Sequence, residues 1–218
     1  MDPDYAQAYA FATMCYCWLK VDGLATDPNE CCETERLARE AIRLGRDDAF
    51  SLCHAGLALA QVVGELNEGA ALIERALTLN PNLAGSWNMG GWVRLWLNQP
   101  DAAIDHFARA MRLSPLDFGF HAAETGTAFA HIRAGRYEEA SLWAERASRG
   151  QPRSADAAQA VALSSALVGN MAKAKDAIRR LLEVAPNRRI STAIVSRNLS
   201  PERHARLTDL LRRAGMPE

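Results

Sequence analysis

The chain has 218 residues, and its 25 lysines and arginines nearly balance its 26 aspartates and glutamates. A chain of this length suits one large domain or an extended repeat array that folds without disulfides. The balanced charge provides no bulk field that would draw the whole chain onto nucleic acid or anionic lipid. No apolar run reaches the roughly 20 residues of a membrane-spanning helix, and we expect a cytoplasmic protein with no membrane partner.

The first predicted unit covers residues 4–46. The stretch "DPDYAQAYAFATMCY" predicts its first helix, and Ala38, Ala41 and Leu44 lie on its second helix, after a long insert around "VDGLATDPNE". All five cysteines lie in the first quarter of the chain, and His54 stands beside the last of them. The cysteines are Cys15, Cys17, Cys31, Cys32 and Cys53.

This cysteine cluster suggests a zinc site, but its spacing argues against one. Cys15 and Cys17 would be about 200° apart on a helix, and the sequence contains no C-x2-C pair. Free cysteine also serves as a small apolar residue in helix contacts. We therefore expect neither a metal nor a cofactor. The alternative that remains open is a metal-dependent enzyme that uses the cysteines and His54.

Four prolines then mark a repeat. Pro81, Pro115, Pro152 and Pro186 are separated by 34, 37 and 34 residues, and each follows a helical pattern. The predicted units are residues 47–81, 82–115, 116–152 and 153–186. The unit at 47–81 carries one extra residue, assigned to its turn, and the unit at 116–152 carries three. A fixed period of this length predicts antiparallel helix pairs that hide their apolar faces by stacking.

Residues 187–218 form a predicted linker followed by a capping helix. Ser200 is a helix N-cap, Pro201 occupies the first helical position, and Glu202 places an acid in the first turn. Leu207, Leu210 and Leu211 give one apolar face, and Gly215 and Pro217 then end the helix. An array of this kind requires a final helix that bears solvent on one side.

Residues 82–115 resemble the tetratricopeptide repeat pattern, W-x2-L-G-x2-Y, A-x3-F and P. The positions in register are Trp87, Gly91, Ala103, Phe107, Ala110 and Pro115, whereas Gly90 and Arg94 replace the usual Leu and Tyr. The resemblance implies an all-α fold, a right-handed superhelical array of about five antiparallel helix pairs with a C-terminal capping helix.

The ending "LRRAGMPE" resembles the tails of bacterial proteins in which such repeats follow a class III adenylate or guanylate cyclase domain or a winged-helix transcriptional regulator. The start "DPDYAQAYA" resembles a junction between two repeats. Together these resemblances imply a fragment of a signalling protein whose catalytic or DNA-binding domain lies upstream of this chain.

The stretch "SWNMGGWVRLW" on the first helix of the third unit carries the candidate site. Trp87 and Gly91 share the face that packs on the paired helix, while Asn88, Trp92 and Trp96 form a second stripe about 100° away. First helices of tetratricopeptide proteins line a concave surface, so the resemblance implies a groove for a peptide or helix. Packing of both tryptophans against a neighbouring unit is the competing interpretation. The predicted groove residues are Met14, Cys53, Leu57, Gln61, Asn88, Trp92, Leu95, Trp96, Phe129 and Gln159.

No set of residues pairs for catalysis, because the five histidines are dispersed over separate units. We therefore predict a noncatalytic protein that binds a protein or peptide. Residues 179–213 hold nine arginines against three acids, and the first fifty residues hold ten acids against five bases. This asymmetry leaves open a head-to-tail homo-oligomer and a nucleic-acid or transcription-regulator module. Nucleic acid is not favoured, since no aromatic residue follows Trp143 to stack bases.

Overall fold

Helices account for most of the chain in the computed structural model, which describes residues 4–21, 27, 29–115, 120–193 and 199–218. Most of the insert predicted around residues 21–30 and the middle of the longer junction after Pro115 lie outside these residues. No strand occurs in the described ranges, and none of their helices is long and apolar enough to cross a membrane. The helices are α1 (Ala6–Val21), α2 (Asn29–Leu44), α3 (Ala49–Ala58), α4 (Leu66–Leu79), α5 (Ala84–Trp96), α6 (Pro100–Leu113), α7 (Phe120–Ala134), α8 (Tyr137–Gly150), α9 (Ala155–Leu167), α10 (Met171–Val184) and α11 (Pro201–Arg213).

The helices form five pairs: α1 with α2, α3 with α4, α5 with α6, α7 with α8, and α9 with α10. Each first helix also contacts the first helix of the next pair, and each second helix contacts the first helix that follows it. The result is a right-handed superhelical array of antiparallel helix pairs, which α11 caps by packing on α9. The all-α repeat fold predicted from the sequence is confirmed.

Small residues allow the paired helices to approach closely. Along α8, Ala140, Ala144 and Ala147 are completely buried at i, i+4 and i+7, which places all three on one helix face. The closest approach joins α3 to α4, where a Cβ added at Gly69 would stand 2.4 Å from the carbonyl oxygen of Gly56. The helical period of alanine and glycine therefore sets the spacing of the array.

The ring of Phe107 occupies the contact between the third and fourth pairs. A Cβ at Gly91 of α5 would stand 2.5 Å from this ring, and a Cβ at Gly126 of α7 would stand 2.2 Å from it. Phe107 itself is completely buried. The glycines of α5 and α7 thus provide the space that the largest fully buried side chain fills.

The extra residue of the second unit lies in a helix and not in the turn to which the sequence assigned it. The end of α3 continues as a π-helical turn over Leu59–Val63, a form that adds one residue to an α-helix. Gly64 follows with a φ of 101°, and its N–H donates to the carbonyl of Leu59. The connection from this turn to α4 therefore stays at two residues, Gly64 and Glu65.

The C-terminal segment is fastened at both ends of α11. The Ser200 hydroxyl accepts a hydrogen bond from the N–H of Arg203, as the predicted N-cap requires. Beyond the helix, Met216 is buried with Leu207 and Leu211, and the carbonyl of Pro217 accepts a hydrogen bond from the N–H of Ile190. Ala214 and Met216, beyond the end of α11, are therefore part of the core.

Candidate functional site

A cavity of about 580 Å³ lies where the five first helices face one another, and we call it the inner cavity. Each of α1, α3, α5, α7 and α9, counting the π turn with α3, contributes at least one side chain to its wall. The segment after α10 contributes as well. The wall comprises Met14, Cys17, Trp18, Lys20, Val21, Leu57, Gln61, Asn88, Met89, Trp92, Trp96, Ala122, Asp156, Arg188, Ser191, Thr192 and Ala193.

Trp92 is half-buried and is held by aromatic rings behind it. Its ring centroid lies 5.6 Å from that of Phe107 in an edge-to-face arrangement and 6.4 Å from that of Phe129. Trp96 lies 6.3 Å away along the same helix and is only 7% exposed. Both interpretations of the tryptophan stripe therefore describe part of the structure, because these rings pack in the core and also border an open space.

Trp87 has a purely internal role. Its indole Nε1 donates to the carbonyl of Pro81 at 2.8 Å, and its ring packs edge-on against His106 at 4.9 Å. Burial lowers the pKa of His106, with Glu74 raising it to a smaller extent. Trp87 thus fixes the start of α5 to the preceding proline turn, which explains its place in the repeat pattern.

Two amide side chains provide polar groups on an otherwise largely apolar wall. The Nε2 of Gln61 donates to the carbonyl of Cys17 at 3.2 Å, which ties the π turn to α1. The Oδ1 of Asn88 is buried and accepts no hydrogen bond from any described residue. A buried acceptor without a donor costs about 1–3 kcal/mol, so a ligand N–H reaching Asn88 would be favourable.

The segment that follows α10 forms another part of the inner cavity wall. Arg188 is buried, and its Nη2 lies 2.9 Å from a carboxylate oxygen of Asp156 in the first turn of α9. This contact holds Arg188 next to a short 3-10 turn, Ile190–Thr192, and Ser191 and Thr192 of that turn face the cavity. Residues from both ends of the sequence thus meet across one space.

Six of the ten predicted groove residues line the inner cavity: Met14, Leu57, Gln61, Asn88, Trp92 and Trp96. The other four, Cys53, Leu95, Phe129 and Gln159, are buried away from the wall. Cys53 packs in a core cluster with Val93 and Trp96. Helical spacing predicts which residues share a face of each helix. It does not predict how far the neighbouring helices bury each of these residues.

The sequence analysis missed Trp18 and Arg188. Trp18 is 58% exposed and stands four residues after Met14 on α1, so the same helical spacing could have found it. Arg188 carried no such signal, because its position depends on how the segment after α10 turns back over α9. The cavity wall is therefore predictable in part on the helices and unpredictable on the connecting segment.

Burial disfavours ionisation of both Cys53 and His54. Cys53 Sγ lies 3.3 Å from His54 Nδ1, which itself lies 2.8 Å from the carbonyl oxygen of Phe50. Burial raises the pKa of the Cys53 thiol to about 11 and lowers the pKa of His54, so a neutral thiol faces a neutral imidazole. Among the described residues, no three histidine, cysteine, aspartate or glutamate side chains group as metal ligands would.

Comparison with known proteins supports the fold. Neither a protein-family profile nor a curated protein sequence matches the chain. Among solved structures, residues 41–end of MamA from Desulfovibrio magneticus RS-1 superpose with a TM-score of 0.60 at 18% identity, covering 86% of this chain and 98% of that one. PilW, a type IV pilus biogenesis factor, superposes with a TM-score of 0.66 at 14% identity, covering 93% and 89%. Both are all-helical repeat structures of the tetratricopeptide type, which is the fold of this chain.

Proposed function

We propose that this chain is a noncatalytic protein-interaction domain that holds an apolar segment of a partner protein in the inner cavity. The observation that carries the proposal is the half-buried ring of Trp92, which is braced by Phe107 and Phe129 and borders an open space of about 580 Å³. A rigid aromatic side chain gives a large contact area at low cost in conformational entropy and commonly dominates binding energy.

The chemistry of the wall favours a peptide as the occupant. Leu57, Met14 and Met89 supply flexible apolar surface around Trp92, which suits an apolar side chain entering from the partner. Asn88 offers a buried acceptor without a donor, and a peptide backbone carries an N–H at nearly every residue. The occupant is therefore an extended or helical segment with at least one large apolar anchor.

The test is selection of peptides from a displayed random library on the full chain, followed by measured affinities for wall variants. Substituting Met14→Arg places a long cation in the cavity, and we expect binding of the selected peptide to fall by at least tenfold. The control is Leu142→Arg on α8, where the side chain is 69% exposed and lies outside the wall. Equal affinity for the Met14→Arg variant and the unsubstituted chain would rule out the inner cavity as the binding site.

Truncating Trp92 and Trp96 together to alanine would be a less suitable test. Trp96 is nearly buried and packs with Leu52 and Val93, and replacing a buried tryptophan by alanine costs about 3–5 kcal/mol of stability. Loss of binding in that double variant would follow from unfolding as readily as from a lost contact. A substitution that fills the cavity leaves the aromatic packing intact.

The proposal extends to a regulatory role in a bacterial signalling protein of the cytoplasm. It rests on the resemblance of the tail to those of cyclase-linked and winged-helix-linked repeat proteins. The test is the complete reading frame: a cyclase or winged-helix segment encoded ahead of Met1 supports the role, and a frame that encodes neither contradicts it.

A further inference from the structure

A second cavity, of about 420 Å³, lies between the ends of α7 and α9 and the start of α11. Three arginines line it: Arg133 near the end of α7, and Arg203 and Arg206 in the first two turns of α11. We call this space the arginine pocket. Its other walls are Ile132, Ala134, Gly135, Tyr137, Leu167, Ser200, Glu202 and Leu207.

The arginine pocket carries an excess of positive charge. Three guanidinium groups face it with a single acid, Glu202, which forms no ion pair with a described residue. Arg133 is 6% exposed, and burial together with the nearby charge of Arg203 lowers its pKa to about 10. Like charges held together near buried surface repel each other, so an anion bound between them would be strongly favoured.

Capping of α7 accounts for only a part of this arrangement. The Nη2 of Arg203 donates to the carbonyl of Ile132 at 2.7 Å, which satisfies one carbonyl at the end of α7. A guanidinium has five N–H donors, so most of those on Arg203 stay available. The guanidinium of Arg206 lies over the ring of Tyr137, 5.8 Å from its centroid, and forms no hydrogen bond or ion pair with a described residue.

We propose that the arginine pocket binds the phosphate group of a small phosphomonoester. Among the described wall residues three are positively charged and one is negatively charged, which suits the negative charge that a phosphomonoester carries at neutral pH. Guanidinium groups bind phosphate oxygens through paired N–H donors. The start of α11, where Ser200 and Glu202 line the pocket, adds the positive end of a 13-residue helix.

The size of the arginine pocket fits a small ligand. Its volume falls in the range of about 300–1,000 Å³ that is usual for small-molecule sites. Tyr137, Leu167 and Leu207 give it an apolar side beside the arginines, which suits a phosphate attached to an organic group. It shares no wall residue with the inner cavity, so this site is independent of the proposed peptide function.

The experiment is calorimetric titration of the full chain with phenyl phosphate and, separately, with inorganic phosphate. We expect saturable binding of phenyl phosphate and a loss of about tenfold in affinity for Arg206→Gln, since this variant loses a positive charge and its charge-assisted hydrogen bonds to phosphate. We expect a similar loss of affinity for phenyl phosphate in the Arg203→Gln variant. The matched control is Arg212→Gln on the same helix, where the guanidinium pairs with Glu218 outside the pocket.

Further measurements distinguish a lost phosphate site from a misfolded variant and from binding to other phosphate-bearing ligands. An unchanged midpoint of thermal unfolding for the ligand-free Arg206→Gln variant would show that this variant folds. The Arg206→Lys variant should retain part of the affinity, because lysine keeps the positive charge but lacks the paired N–H donors of a guanidinium group. The Met14→Arg variant should bind phenyl phosphate normally. The proposal is overturned if phenyl phosphate fails to bind, if Arg212→Gln weakens it equally, or if the chain binds only phosphatidic acid vesicles or DNA.

Discussion

The contact of Phe107 with Gly91 and Gly126 explains why α5 and α7 carry glycine at these two buried positions. The ring lies against the backbones of two helices from two different pairs, so it links the third pair to the fourth. Only Gly91 belongs to the repeat pattern matched in the sequence. Gly126 became interpretable only when the structure showed the ring that faces it.

Substituting Gly126→Ala should therefore destabilise the protein. The added methyl would stand 2.2 Å from the Phe107 ring, which is completely buried and has no free space to turn into. Overpacking of this kind costs about 1–3 kcal/mol, measured as a lower midpoint in urea denaturation. Gly85→Ala on α5 is the control, because nothing lies within 4 Å of its added Cβ and alanine gains about 0.5–1 kcal/mol in a helix. Equal effects at the two sites would contradict this packing.

The buried histidines predict how stability depends on pH. Burial is the main cause that lowers the pKa of His54, His106 and His131 in the folded protein. The unfolded chain then binds more protons than the folded one once the pH falls below about 6.5, the ordinary histidine value. We expect full stability above that pH and a progressive loss as the pH falls through the lowered values. Chemical denaturation across this range should show a smaller loss for His54→Gln, and an unchanged slope would contradict the assignment to His54.

At the scale of single helices, the helical period of the sequence predicts which face of a helix is buried. It does not predict how neighbouring helices are placed relative to one another. The helical spacing of Ala103, Phe107 and Ala110 was enough to predict the buried face of α6. The π turn at Leu59–Val63 has no such mark, because one extra residue can be absorbed in a helix or in a turn. Phe129 and Gln159 were assigned to the groove by the same spacing, yet the neighbouring helices cover them.

The tail after α11 makes a prediction at this scale. Met216 is buried in the same cluster as Leu207 and Leu211, so Met216→Ala should lower the free energy of unfolding by about 2–5 kcal/mol. Arg213→Ala on the exposed side of α11 serves as the control and should change stability by less than about 0.5 kcal/mol. Urea denaturation of both variants compares them directly, and equal stability would mean that the tail does not pack on the array.

The whole molecule is asymmetric from end to end. At one end α11 covers α9, whereas α1 at the other end exposes Phe11, Trp18 and Val21. Helices that bury few residues gain little stability from packing, so α1 should open at a lower free energy than the helices of the middle pairs.

Native-state hydrogen exchange tests this expectation. Amides of α1 should exchange through local opening, while amides of α5 and α7 should exchange only at the cost of global unfolding. We expect faster exchange in α1 because only three of its residues, Ala10, Thr13 and Cys17, are buried. Uniform protection from α1 to α9 would show that the array opens as a single cooperative unit.

The meeting of α1 and the segment after α10 across the inner cavity has a mechanical consequence. A ligand that fills the cavity would contact Trp18 of α1 and Ser191 of the segment after α10, so it would restrain at once two stretches that are remote in sequence. Local opening of either stretch would then cost more free energy in the liganded chain than in the free one.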